Sequence, residues 1–349
     1  MQDTPYLAVD VDILDRNLAA MAAAARAAGT RLRPHVKTHK CVEIARRQVA
    51  LSGAGITIAT VAEAEVFAAA GFDDLFLAYP VIATGRRADR LRALAARVAL
   101  RCGVDSAAAA ALLARAVPGL PVLVEIDSGH HRTGVAPAHA GEVAAAACAA
   151  GLEVIGVFTF PGHGYGPDQR EQAALDEATA LADAATAVAR AGISTTVRSG
   201  GSTPTAGLFD SDVLTELRPG VYVFQDAQQV ELGSARMADI VLTAVATVVS
   251  RAPGRAVLDA GSKVLGADRP AWTTGFGRLP DRPDARVVAL SEHHATVEFP
   301  AGEVPAVGQT VRVAPNHVCT AVNLADELVV VANGVEVDRW VVAARGANT

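Results

Sequence analysis

The sequence has little that would tie it to nucleic acid, to a membrane or to an oxidising compartment. Its 349 residues carry 31 Lys and Arg against 37 Asp and Glu, a formal net charge of −6. No basic excess is present to attract a phosphate backbone or an anionic lipid surface. The four cysteines, Cys41, Cys102, Cys148 and Cys319, are scattered and form no CxxC pair. A disulfide framework is therefore not expected, and a cytoplasmic location is. The apolar-looking stretches are interrupted by Arg, Asp, Glu or Gly, so none reads as a membrane span. The opening MQDTPYLAVDVD lacks a basic region followed by an apolar run, and no signal peptide is expected.

Against 19% charged residues overall, the segment RLRPHVKTHK at residues 31–40 concentrates two lysines, two histidines and two arginines. Such a cluster is either a solvated turn or a site for an anionic group. Its surroundings favour the second reading. From residue 13 to 225, alanine-rich helical stretches (13–28, 41–50, 61–70, 83–96, 106–116, 138–150 and 168–191) alternate with short apolar runs suited to buried parallel strands. The runs are RLRPHVK, GITIAT, LFLAY, VALRCGV, VLVEID, VIGVFTF, TTVRSGG and ELRPGVYVF. Eight such strands with intervening helices predict an α/β fold of the (β/α)8 TIM-like barrel type. After residue 237 no helical period remains. The β-rich runs there predict a mostly antiparallel β domain, with RPAWTTGFGRLPDRPD as a loop inside it. The predicted domains are residues 1–237 and 238–349, with residues 1–10 pairing with the second.

In a barrel the reactive groups collect at the C-terminal ends of the strands. Lys37 ends the first predicted strand, with Arg33 and His35 on the same face by alternation. Asp127 leads into SGHHRTG, Phe160 into PGHGYG and Ser199 into GGSTPT, while Tyr222 in the eighth strand is followed by Gln225 and Asp226. Glycines after a strand let backbone N–H groups approach an oxyanion, and Ser or Thr hydroxyls add donors. A strand-end lysine beside such a phosphate cradle points to pyridoxal 5′-phosphate, with the lysine as the Schiff-base residue.

The motifs RPHVKTHK, DSGHHRTG, GGSTPT and PNHVC together resemble the D-threonine aldolase and D-serine dehydratase family over nearly the whole chain. These are pyridoxal phosphate enzymes with an alanine-racemase-type barrel (fold type III) and a C-terminal β domain. The resemblance implies a divalent metal beside the cofactor and a homodimer with composite active sites. It implies Lys37 rather than Lys40 as the cofactor lysine and base at Cα, with His35 and Arg33 as buried supports or plain barrel filling. Arg132 matches the family position for an arginine near the pyridine nitrogen; Arg218 competes for that role. Ser199, Gly200, Gly201 and Ser202 would hold phosphate, with Tyr165 and Tyr222 adding hydroxyl contacts. His163 would touch the substrate hydroxyl, or else is a bland loop histidine.

In PNHVCTAVN, His317 and Cys319 are two residues apart, so on an extended strand both face one side. Imidazole plus thiolate suits zinc, with manganese or magnesium as alternatives. His293 and His294, adjacent in SEHH, are the weaker ligand pair and read as surface residues. The implied activity is a lyase reaction on a D-β-hydroxy amino acid: dehydration to a 2-keto acid and ammonia or, alternatively, aldol cleavage to glycine and an aldehyde. HxC leans toward dehydration. An amino-acid racemase and a non-catalytic cofactor carrier rank lower. A racemase of this fold takes its second base from a tyrosine of the C-terminal domain, and none of Tyr6, Tyr79, Tyr165 and Tyr222 lies beyond residue 237.

Overall fold

The structure, a computed structural model, describes residues 3–300 and 303–349. The chain opens with β1 (Tyr6–Asp10) and α1 (Val11–Ala27), after which short strands and helices alternate. They are β2 (Arg31–Leu32), α2 (Val42–Ser52), β3 (Ile56–Ile58), α3 (Val61–Ala69), β4 (Asp74–Pro80), α4 (Gly85–Ala95), β5 (Ala99–Val104), α5 (Ala107–Ala116), β6 (Pro121–Glu125), α6 (Ala140–Ala149), β7 (Glu153–Phe158), α7 (Arg170–Arg190), β8 (Val197–Gly200) and β9 (Glu216–Leu217). The helix positions expected from the alanine-rich stretches are reproduced to within about two residues, the usual uncertainty of helix ends. Clear caps set two of the starts: the Thr60 hydroxyl accepts from Glu63 N–H, and the Ser106 hydroxyl accepts from Ala109 N–H. Each such cap stabilises its helix by ~1 kcal/mol.

Strands β2 to β9 form one parallel sheet in the order β2-β9-β8-β7-β6-β5-β4-β3. A parallel bridge between His35 and Thr57 links its two ends, so the sheet closes into the expected barrel. Strands covered on both faces need continuous apolar runs, and Ile56–Ile58 and Leu75–Leu77 are fully buried. Phe76, Leu123 and Phe158 pack together in the core, with the two phenyl rings edge to face at 5.1 Å.

Two predicted strands are much shorter than expected. RLRPHVK pairs as a strand only at Arg31–Leu32, and Lys37 sits in a 3-10 turn, Val36–Thr38. ELRPGVYVF pairs only at Glu216–Leu217, and Tyr222 sits in a second such turn, Val221–Val223. Pro34 and Pro219 explain both, because proline has no N–H to donate to a ladder. Single bonds continue past each: Arg33 N–H to the Leu217 carbonyl at 2.9 Å, and His35 N–H to the Pro219 carbonyl at 3.0 Å.

By contacts the chain forms two compact units. The barrel unit holds 21–37, 45–220 and 347–349, and the β unit holds the chain up to Ala20, 38–44 and 221–346. Within the β unit, α8 (Ala227–Glu231) precedes β10 (Leu242–Ala252), β11 (Arg255–Leu258), the short helix α9 (Ser262–Leu265), β12 (Gly277–Leu279), β13 (Arg282–Leu290), β14 (Ala295–Glu298), β15 (Thr310–Pro315), α10 (Val318–Leu324), β16 (Glu327–Ala332) and β17 (Val335–Val341). The sheet order is β11-β14-β13-β12-β15-β10-β1-β16-β17, and an added β10–β11 pairing closes six of these strands into a small barrel. All the pairings are antiparallel except β1 with β16.

β1 does pair with this sheet, between β10 and β16. That overturns the tyrosine argument against a racemase, since Tyr6 is aligned with Val245 and Tyr222 also belongs to the β unit. The RPAWTTGFGRLPDRPD segment is not all loop, because it contains β12 and the start of β13. His293 and His294 lie in the exposed turn between β13 and β14 rather than within a strand. Among the described residues, no helix is long and apolar enough to cross a membrane.

Candidate active site

In the barrel unit, Phe160 is the hub. It follows the end of β7, and its ring meets Lys37 Nζ at 5.5 Å and the Arg132 guanidinium at 5.2 Å from the ring centroid. His130 meets the same ring edge-on at 5.5 Å, and Tyr165 lies at 6.2 Å. An aromatic face holds a cation without neutralising it. The lysine and the arginine of two distant motifs are thus gathered by one side chain that sequence reasoning treated only as a strand end. The Lys37 amide N–H donates to His35 Nδ1 at 3.4 Å, so His35 supports the turn that carries Lys37. Lys40 belongs to the β unit, with positive φ and its carbonyl accepting from Ala344 N–H.

Asp127 organises the DSGHHRTG loop. Its carboxylate accepts from the amides of Gly129 and His131 at 2.9 and 3.0 Å and pairs with His131 Nδ1 at 2.7 Å. Burial alone would raise the Asp127 carboxyl, but these bonds outweigh it and hold it low. Glu125, two residues earlier and buried, accepts from the Thr133 hydroxyl at 2.8 Å through Oε1, while Oε2 has no partner among the described residues. Burial pushes this carboxyl up. In the PGHGYG loop, His163 Nε2 pairs with Asp176 Oδ2 at 3.2 Å. Its Nδ1 is buried and has no partner among the described residues.

Arg218 is buried and fixed. Nε donates to Ser199 Oγ at 2.8 Å, Nη2 donates to the Thr159 carbonyl, and the guanidinium lies 5.5 and 5.3 Å from the Phe76 and Phe158 ring centroids. The Ser199 hydroxyl donates in turn to Glu216 Oε1 at 2.7 Å, so it is committed inside the barrel. Arg33, which is 1% exposed, pairs with Glu216 Oε2 through Nε at 2.7 Å and with both Asp74 oxygens at 2.9 and 2.7 Å. Burial would raise the Glu216 carboxyl, but Arg33, Arg101 and the Ser199 hydroxyl outweigh it and hold it low. Beyond the β8 end, the Gly201 amide donates to Glu177 Oε1, and the Ser202 and Thr205 hydroxyls lie 3.0 Å apart. Arg132, by contrast, is exposed.

In the β unit, His317 and Cys319 do not lie on an extended strand. His317 is extended (φ −128°, ψ 123°) but serves as the N-cap residue of α10, so Cys319 is in the first turn of a helix. The cause is Asp226, buried and not recognised from the sequence as a partner of this segment. Its Oδ2 accepts from Val318 N–H at 3.1 Å and pairs with His317 Nδ1 at 3.1 Å, while Oδ1 caps α8 by accepting from Gln229 N–H at 2.9 Å. The two side chains nevertheless meet: His317 is hydrogen-bonded to Cys319, whose Sγ also approaches Thr38 Oγ1 at 3.5 Å. Burial works against a charged His317, but Cys319 and Asp226 outweigh it and raise its pKa well above the ordinary value. A carboxylate on Nδ1, with Nε2 turned away from it, is also the arrangement found behind metal-bound histidines. Among the described residues there is no group of three or more His, Cys, Asp or Glu that could hold a metal ion. Of the residues expected at the site, Lys37, His35, Arg132, His163, Tyr165, Ser199–Ser202 and Arg218 belong to the barrel unit, and Tyr222, His317 and Cys319 to the β unit.

Residues 9–228 match the family described as alanine racemase, N-terminal domain, and residues 241–331 match the one described as “Putative serine dehydratase domain”. The chain is 35% identical to a D-threonine aldolase of Arthrobacter sp., covering 99% of this chain and 93% of that one. It is 34% identical to the D-threo-3-hydroxyaspartate dehydratase of Delftia sp. HT23, covering 91% of each. The solved structure of that dehydratase superposes with a TM-score of 0.90 at 32% identity, covering 98% of this chain and 97% of that one. The structure of D-threonine aldolase from Filomicrobium marinum gives 0.89 at 33% identity, covering 99% and 96%.

Proposed function

Because the chain belongs to the alanine racemase N-terminal domain family, we propose that it is a pyridoxal 5′-phosphate- and metal-dependent lyase of D-β-hydroxy amino acids. Three relatives that match nearly the whole chain are lyases of such substrates by name. The residues fit the cofactor: a lysine amine over an aromatic ring, a buried fixed arginine, a pair of loop hydroxyls, and two buried polar atoms, His163 Nδ1 and Glu125 Oε2, without partners among the described residues. In this reading Lys37 would hold the cofactor through Nζ, Ser202 and its neighbours would hold the phosphate, and Arg218 would be the arginine that acts on the ring nitrogen. Arg218 is preferred to Arg132 for that task because it is buried and held by two bonds, whereas Arg132 is exposed. When bound, the cofactor supplies an electron sink for charge developing at Cα.

The activity we favour is dehydration. Lys37 Nζ takes the Cα proton, and the departing β-oxygen takes up one proton, relayed through His163, so that it leaves as water. A divalent metal held by His317 Nε2 and Cys319 Sγ, zinc by ligand softness, would supply a Lewis acid for the departing oxygen. Loss of water and hydrolysis of the resulting enamine balance as one hydroxy amino acid to one 2-keto acid and one ammonia. The observation that carries this choice is the His317–Cys319 pair backed by Asp226. In support, a D-threo-3-hydroxyaspartate dehydratase was solved as a histidine-to-alanine mutant and as a cysteine-to-alanine mutant in the metal-free form, the two positions being two residues apart. Cleavage to glycine and an aldehyde is the second reading, favoured by the aldolase relative that spans almost the whole chain. Product analysis with D- and L-3-hydroxy amino acids, with and without chelator, decides: keto acid and ammonia support dehydration, and glycine with aldehyde overturns it. The working form is a homodimer with composite sites; a dilute monomer retaining full activity would refute that.

A further inference from the structure

We propose that Glu177, on α7, is a positioning residue for the phosphate end of the cofactor, acting through the glycine loop after β8. This rests on the reading of residues 199–202 as the phosphate site. The buried face of α7 is otherwise Ala173, Ala174, Ala178, Ala180, Leu181, Ala184 and Val188. A single acid in such a stripe is costly unless its bonds are used, since a carboxyl taken from water loses its solvation. Glu177 is 0% exposed, and Oε1 accepts from the Gly201 amide at 2.6 Å. Oε2 is buried with no partner among the described residues.

The loop is shaped around this carboxyl. A Cβ at Gly200 would stand 2.3 Å from Glu177 Oε1, so a side chain at 200 and the Glu177 carboxyl cannot both keep these positions. Gly201 has φ +86°, and a Cβ there would stand 2.3 Å from Leu217 Cδ1. The Gly201 amide is turned toward the helix, which leaves the loop hydroxyls, Ser202 with Thr205, as anion donors on this segment. Glu177 thereby withdraws one donor from the anion and fixes the conformation that presents the others. Burial pushes its carboxyl up to about 7, against the Gly201 amide and Arg218, which lower it. A carboxyl that takes a proton readily can stand behind a phosphate dianion without repelling it.

The test separates the phosphate from the ring. Protein stripped of cofactor is titrated with pyridoxal 5′-phosphate and with pyridoxal, which has the same ring and aldehyde but no phosphate, following the visible absorption change. For Glu177→Leu, phosphate-ester binding should weaken by about tenfold or more with pyridoxal binding little changed, as expected when a buried amide loses its acceptor. Glu177→Gln keeps a carbonyl oxygen for the Gly201 amide and should restore the wild-type preference. If Glu177→Leu does not fold, Gly200→Ala, whose methyl group would displace Oε1, should show the same selective loss. Equal weakening of both ligands, or no weakening of either, overturns the inference, as does a Gln variant as poor as the Leu variant. A wild-type protein that binds both ligands equally would instead remove the phosphate-site reading beneath it.

Discussion

Replacing Arg33 by methionine should expose how the barrel is held from within. Arg33 is 1% exposed and is the shared partner of Asp74 and Glu216, at 2.7 to 2.9 Å. Removing one member of a buried ion pair leaves the other charge uncompensated, at a cost of about 3–5 kcal/mol. Arg101 remains nearby, 3.3 Å from Asp74 and 3.5 Å from Glu216. The expected loss is therefore at the lower end, ~3 kcal/mol at pH 7.

The pH dependence follows from the same pairs. Burial would raise the Asp74 and Glu216 carboxyls, but Arg33 and Arg101 outweigh it and hold them below their ordinary values. Such depressed groups contribute stability above their unfolded values, and that contribution is lost as pH falls through the folded ones. The gap between wild type and Arg33→Met should thus be full at pH 7 and should narrow below about pH 4, where unfolded carboxyls take up protons. Urea denaturation of cofactor-free protein across this range measures it. A loss under ~1 kcal/mol at pH 7, or a gap that does not change with pH, would refute the account. Because Glu216 also holds Ser199, which holds Arg218, the variant should disturb cofactor binding as well.

Lys37→Ala protein should lose the visible band of bound cofactor while Lys40→Ala keeps it; the reverse result would move the assignment to Lys40. Cys319→Ala should purify without bound metal by elemental analysis and retain the cofactor's visible band. Its kcat should fall by about two orders of magnitude, since each ~1.4 kcal/mol of lost transition-state stabilisation is about tenfold; unchanged turnover would make PNHVC structural. The native state holds a proton on Glu177 up to about pH 7, whereas an unfolded glutamate releases it near 4.5. Its raised pKa makes wild-type stability fall as pH rises through that window, by roughly 3 kcal/mol from this group. Glu177→Gln should gain on wild type by that amount between pH 4 and pH 8 in urea denaturation; a pH-independent difference would show that the carboxyl is not so perturbed.

Most of the architecture was legible in the sequence because it is written in local periods. Alanine-rich helices between short apolar runs, then β-rich runs without a helical period, predict a barrel and a β domain, and the helices fall where expected. The chemistry was legible where residue type alone narrows the choice. The chain has only three lysines, Lys37, Lys40 and Lys263, and the last is an exposed partner of Glu292. Proline effects are legible too: Pro34 and Pro219 cut both flanking strands short, and Lys37 and Tyr222 sit in turns as a result.

What only the tertiary structure decided are the partners of buried polar groups. Asp226 meets His317 from 91 residues away and turns the following segment into a helix. Glu177 meets Gly201 from 24 residues away, and Phe160 gathers Lys37 and Arg132, both of which lie far before it in the sequence. No periodic pattern encodes such pairings. A buried carboxylate or cation must be satisfied by whatever the folded chain brings within about 3 Å, and that is a property of the closed barrel and the packed loops rather than of any local stretch.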